Sequence, residues 1–154
     1  MKVFRFLFIA ALVACFSGGL HAQEQKPARQ DIYAKEGQQV LSLINTKKYD
    51  EAIKLSEQIL AGLAERKLDR TYEASTAYNN LGVIYYFKSD YKKADETLKK
   101  ALDLRIALLG PDDPQVAVVW KNLSDMHVAQ ARSYYEQYQR IQKVNAEKKA
   151  AGKK

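Results

Sequence analysis

Shifting the chain against itself by 42 residues brings matching residues into line without a gap. Tyr49 falls on Tyr91, Ala52 on Ala94 and Leu60 on Leu102. Further along, Tyr78 falls on Trp120, Asn80 on Asn122 and Leu81 on Leu123. A fixed period of this size marks stacked supersecondary units, each unable to bury its apolar face alone.

The units are helical. Tyr78, Leu81, Gly82 and Tyr85 fall at i, i+3, i+4 and i+7, one face of a helix. Ala94, Leu98, Ala101 and Leu102 fall at i, i+4, i+7 and i+8, one face of the next, and Lys88-Ser89-Asp90 supplies a polar turn between them. Nothing alternates as strands do, so each unit is a helical hairpin. Gly82 and Ala94 leave room for the two helices to approach, and Tyr78 and Tyr85 fill the space beside that contact.

The stretch from Ala77 to Leu123, with its "LGPDDPQVA" linker, resembles tetratricopeptide repeats. It is especially similar to the 42-residue variety found in kinesin light chains and many bacterial proteins. The resemblance covers about Asp31 to Gln130 and is best from Tyr72 to Leu109. In the first unit Val40 stands where Gly82 would recur. In the third, Ser124 replaces the glycine, His127 replaces Tyr85, Ser133 replaces Tyr91 and Glu136 replaces Ala94. No glycine or proline interrupts the chain after Pro114 until Gly152, which predicts a long final helix, with a bend near Gln130 to Arg132 possible in it. The expected fold is all-α: a short solenoid of tetratricopeptide-type helical hairpins with a long C-terminal capping helix, polar on its outer face.

"GPDDP", Gly110 to Pro114, reads as punctuation between helices. Gly110 suits the left-handed position past a helix end, and Pro111 stops that helix. Asp113 can cap the next one, with Pro114 at its first position. A metal site is the rival reading of the two aspartates, but no ligand cluster gathers around them.

The first 22 residues carry a basic start (Lys2, Arg5), an apolar run from Phe6 to Phe16 and a small-residue approach to Ala22, the layout of a secretory signal. Eleven apolar residues at ~1.5 Å each cannot cross a core of about 30 Å. Cleavage after Ala22 implies export, with the periplasm as destination. The alternative is a lipoprotein lipidated at Cys15, within Leu12-Val13-Ala14-Cys15. Residues 23–30 read as a flexible lead, 31–139 as the repeat domain and 140–154 as a basic tail. Cys15 is the only cysteine, so a chain cut after Ala22 relies on packing rather than disulfides.

Net charge is +7, but residues 23–139 are balanced, and Arg140 to Lys154 carry six basic residues against Glu147. No basic face is visible in the body, which argues against nucleic acid. The tail could make weak, salt-sensitive contact with an anionic membrane surface or polyanion.

Chemistry is not indicated. His127 is the one histidine after residue 22, and with Ser124 and Asp125 on one helix it cannot build a nucleophile–base–orienter chain. No cysteine–histidine set suits zinc, and no glycine-rich loop suits phosphate. The expectation is a non-enzyme with no cofactor. Acidic pairs Asp50-Glu51 and Asp95-Glu96 are expected early in second helices, favoured by the dipole.

In tetratricopeptide proteins the face opposite each hairpin's second helix lines a concave groove for partner peptides. The resemblance places Thr76, Asn79, Asn80, Val83, Tyr86 and Phe87 of the second unit on that face. In the third it places Val118, Lys121, Asn122 and Asp125 there. Asn80 and Asn122 match groove asparagines that bind a ligand's backbone, as an amide can both donate and accept. The lysine–arginine clamp of chaperone-binding members is absent, since Val118 and Asn122 occupy its places. The function expected is an interaction adaptor of the bacterial envelope with a protein or peptide partner and some capacity to self-associate. The alternative is a surface-binding protein acting through its tail.

Overall fold

The computed structural model describes residues 33–151; the signal and lipoprotein readings and the last three residues lie outside that range. Five helices follow one another among the described residues: α1 (Ala34–Asn45), α2 (Tyr49–Glu65), α3 (Tyr72–Phe87), α4 (Tyr91–Leu109) and α5 (Pro114–Ala151). Pairs α1/α2 and α3/α4 are the two expected hairpins, and α5 is one uninterrupted helix of 38 residues.

Three turns end in the same way. The N–H groups of Lys48, Leu68 and Asp90 donate to the carbonyls of Leu43, Leu63 and Tyr85, while Lys47, Lys67 and Ser89 donate to Ile44, Ala64 and Tyr86. These paired bonds satisfy the carbonyls a helix end leaves open. They require a left-handed residue, and Lys47, Lys67 and Ser89 have φ of 59°, 57° and 60°. Glycine stands in none of the three.

Gly110 differs from expectation. With φ 88° and ψ 159° it has a positive φ but lies outside the left-handed helical region, in a conformation essentially confined to glycine. The chain there must leave α4 extended to start α5. Asp113 then caps α5 as expected, its carboxylate accepting from the Gln115 N–H at 2.8 Å. At the starts of α3 and α4, Thr71 accepts from Ala74 and Asp90 from Lys93.

Asp50 and Glu51 occupy the first turn of α2. Asp95 and Glu96 do not occupy that of α4, because that helix already begins at Tyr91. Asp95 instead pairs with Lys99 at 2.7 Å and lies 3.3 Å from His127 Nε2.

Two apolar clusters share α3. One gathers Val40, Ala52, Ile59 and Leu63 of the first hairpin with Ala74, Ala77 and Ile84. The other joins Leu98, Ala101 and Leu102 of α4 to Val116, Val119, Leu123 and Met126 of α5, with Tyr78 and Tyr85 packed against it. The glycine at 82 sets the close approach of α3 to α4. A Cβ there would lie 2.6 Å from Leu98 Cγ and 3.2 Å from the Leu98 backbone nitrogen.

Arg105 falls three residues beyond Leu102 on the apolar face of α4 and is 3% exposed. Its guanidinium donates to the Gln115 carbonyl at 2.7 Å and to Ser75 Oγ at 3.4 Å, and it lies over the Tyr72 ring. Burial lowers its pKa from the ordinary value, while Tyr72 and Asp113 act in the opposite direction. A buried cation is tolerated because these partners replace water. Arg105 thus ties α3, α4 and the start of α5 together.

The outer face of α5 is not the polar cap expected. Trp120, one period after half-buried Tyr78, is 56% exposed. Tyr78 packs on the α4–α5 cluster, whereas no helix of the described residues covers the matching side of α5.

Candidate partner groove

The end of α3, the α3–α4 turn and the middle of α5 enclose an open cleft of about 490 Å³. Tyr86, Ser89 and Tyr91 form one wall, and Asp125, Arg132 and Glu136 stand on the other. Helix geometry explains the second wall. Asp125, Ala129, Arg132 and Glu136 are spaced by four, three and four residues, so an unbroken α5 presents them on one face.

An aromatic run leads from Tyr86 in the cleft toward the first hairpin. Phe87 is 47% exposed and stacks on Tyr86 at 5.1 Å and on Tyr49 of α2 at 5.8 Å between ring centroids. Nearby, Lys88 is paired with Asp50, joining the two hairpins. Tyr86 is partly buried against the α4–α5 cluster, so it does not turn wholly away from the core as the face assignment implied. That packing fixes its ring and leaves Phe87 as the more accessible surface.

Of the three asparagines expected on the groove face, the structure brings Asn79 and Asn122 together. Asn122 Nδ2 donates to Asn79 Oδ1 at 2.8 Å, and Asn79 is buried between α3 and α5. Each amide thereby commits one group to the other helix. Asn122 is half-buried and retains its carbonyl. Asn80, the residue one period before Asn122, is placed elsewhere: it lines a cavity of about 40 Å³ with Thr76, Tyr33, Val40 and Ser56. That space sits on the α1 side of α3 and is too small for a peptide. Thr76 and Asn80 therefore do not join the Tyr86 cleft. Val83 is half-buried against the α4–α5 cluster and acts as packing.

On α5, Lys121 and Asp125 face each other across one turn at 2.6 Å. Asp125 raises the Lys121 pKa by hydrogen bond and then by charge. Tyr85, beneath the turn, has its pKa raised by burial first and by Glu57 second. Val118 is exposed on the same helix. The cleft therefore offers aromatic surface beside charges of both signs.

Sequence reasoning stopped the groove at Asp125 and missed Arg132 and Glu136. The repeat identity fades there, yet the four-three-four spacing from Asp125 was present. Among the described residues no group of acidic, histidine or cysteine side chains could hold a metal ion, and no helix is long and apolar enough to cross a membrane.

Comparison with known proteins agrees with this architecture. No match was found among curated proteins. The tetratricopeptide repeat family matches twice in overlapping spans, over residues 34–107 and 73–143, together most of the chain. The first span covers both hairpins, and the second sets α3, α4 and most of α5 in the same frame. With its hairpins, its Gly82 contact and its 42-residue period, the chain belongs to the tetratricopeptide repeat family.

Proposed function

We propose that this protein is a non-catalytic adaptor of the bacterial cell envelope that holds a partner polypeptide in the cleft between α3 and α5. Tetratricopeptide repeats generally mediate protein–protein interaction. The observation that carries the reading is the aromatic run leading from the cleft: Phe87 stays exposed although its neighbours fix its ring on both sides. A rigid aromatic beside an open polar cleft is a low-entropy anchor for a partner's side chain. The segment fitting it carries an apolar residue for Phe87 and Tyr86. Polar or charged groups of that segment meet Asp125, Arg132 and Glu136. The envelope location rests on the signal-like first 22 residues.

The test is cross-linking capture from envelope extract with the parent chain and a Tyr86→Ala, Phe87→Ala variant. Circular dichroism checks that the variant keeps its helices. A polypeptide captured by the parent and lost in the variant supports the cleft. Equal capture by both rejects it. Fractionation of cells producing the full chain tests the location, and a cytoplasmic product rejects it.

A further inference from the structure

We infer that α5 pairs with α5 of a second copy of this chain, antiparallel, along a face the partner cleft does not use. The face follows a strict alternation of four and three residues, the spacing of a coiled-coil seam. Trp120, His127, Tyr134 and Ile141 form one line, each seven residues after the last. Ala117, Ser124, Ala131 and Tyr138 form the other. All are exposed: Trp120 by 56%, Tyr134 by 63% and Tyr138 by 55%. The cleft residues Asp125, Arg132 and Glu136 lie on another side, about 120° or more from Tyr138 around the helix axis.

Three observations select a second copy in the antiparallel sense. The first is charge across the seam. Arg132, Glu136, Arg140 and Lys143 all lie off it, so a basic helix can meet itself without like charges in contact. Charge at the ends is the second. A parallel pair would set Lys148 and Lys149 beside their own copies. An antiparallel pair centred near Ala129 sets them beside Asp112 and Asp113 at the start of the other α5. Size is the third: Ala117, Ser124 and Ala131 are small and the opposite line is large. Antiparallel packing places one line against the other, so small meets large, whereas parallel packing would set Trp120 on Trp120.

The area is adequate. Trp120, Tyr134 and Tyr138 of two copies make six rings of roughly 200 Å² each, more than half exposed, which is about half of the ~1,200 Å² a stable interface needs. Ile141, the alanines and the stems of flanking side chains extend the contact. The period gives the pairing a structural meaning. Trp120, Ser124 and His127 correspond to Tyr78, Gly82 and Tyr85, the face that α3 turns toward α4. The partner's α5 would occupy the place of that hairpin's second helix.

Trp120 is the only tryptophan, so its emission reports on this face alone. The chain, as the cell produces it, is studied across a dilution series by sedimentation and tryptophan emission. Expected are a two-chain mass and a red shift of emission as dilution separates the copies. Tyr138→Glu, and separately Ile141→Glu, should weaken association by about 100-fold, while Arg140→Glu on the opposite side stays within about threefold. Circular dichroism of each variant checks its helices, which these exposed positions should not disturb. Orientation is read from a spin label at Lys143→Cys with Cys15→Ser. Antiparallel copies centred near Ala129 hold the two labels about 40–50 Å apart and parallel copies within about 25 Å.

A single-chain mass at every concentration overturns the proposal, and a Trp120 shielded in that monomer assigns the face to another part of the same chain. Association unaffected by both glutamate variants, or labels at short distance, overturns it equally.

Discussion

α3 and α5 stand one period apart and meet opposite circumstances. α3 has a helix on either side: Ala74, Ala77 and Ile84 join the first hairpin's cluster, while Tyr78 and Tyr85 pack on the second. α5 buries Val116, Val119, Leu123 and Met126 against α4 and leaves the matching Trp120 side open. The contrast shows what a repeat's first helix needs from its own hairpin and what it needs from the unit before. Contact with the preceding unit suffices to seat α5. The α3–α4 contact is what demands Gly82, whereas the first hairpin closes with Val40 at that place and α5, with no second helix beside it, carries Ser124 there.

The largest effect expected comes from removing what seats α5. Arg105→Ala should destabilise the protein by about 2–4 kcal/mol, since it deletes a buried side chain and strips the Gln115 carbonyl and Ser75 hydroxyl of a charged donor. Urea unfolding measures it, and a loss under about 1 kcal/mol would mean that the apolar cluster alone holds α5. The variant should also loosen α5 before the hairpins, which hydrogen exchange resolves helix by helix.

Next comes the pair of equivalent positions. Gly82→Ala adds a methyl 2.6 Å from Leu98 Cγ and close to the α4 backbone. Crowding of about 1–3 kcal/mol should outweigh the roughly 1 kcal/mol that alanine gains in helix propensity. Ser124→Ala, one period later on an exposed side, should stay within about 0.5 kcal/mol of the parent. Equal effects at the two sites would end the comparison, because Gly82 would then be answering to its own helix and not to α4.

The hairpins were legible because their signals are local or periodic. Spacing placed the apolar faces, "GPDDP" marked a boundary, and the 42-residue shift related the units. What was not legible depends on tertiary contact. Asn79 and Asn122 are 43 residues apart, and the sequence highlights Asn80 because that residue keeps the period. Only the relative rotation of α3 and α5 shows that Asn79 faces Asn122. Arg132 and Glu136 line the cleft only if α5 continues unbroken, and the fading repeat pointed to a departure there. Arg105 sits at an apolar spacing and could have been noticed. Its partners, Ser75 and Gln115, lie on two other helices and could not. The exposure of Trp120 is a property of what is beside it, which the residue's identity does not encode.

The smallest effect concerns the turns. Lys47 and Ser89 stand one period apart, after α1 and α3, and both adopt left-handed backbone that costs a side chain about 1–2 kcal/mol. Glycine removes that cost but loses roughly 0.5–1 kcal/mol of its greater unfolded-state freedom, so Lys47→Gly and Ser89→Gly should each stabilise by about 0.5 kcal/mol. Thermal unfolding of both variants and their double mutant reads the outcome. Equal, additive gains would show that the two hairpin turns are mechanically equivalent. The difference between α3 and α5 would then come from their neighbours and not from how their hairpins close. A gain at Ser89 alone would place part of it in the turn, beside the Lys88–Asp50 pair that joins the two hairpins.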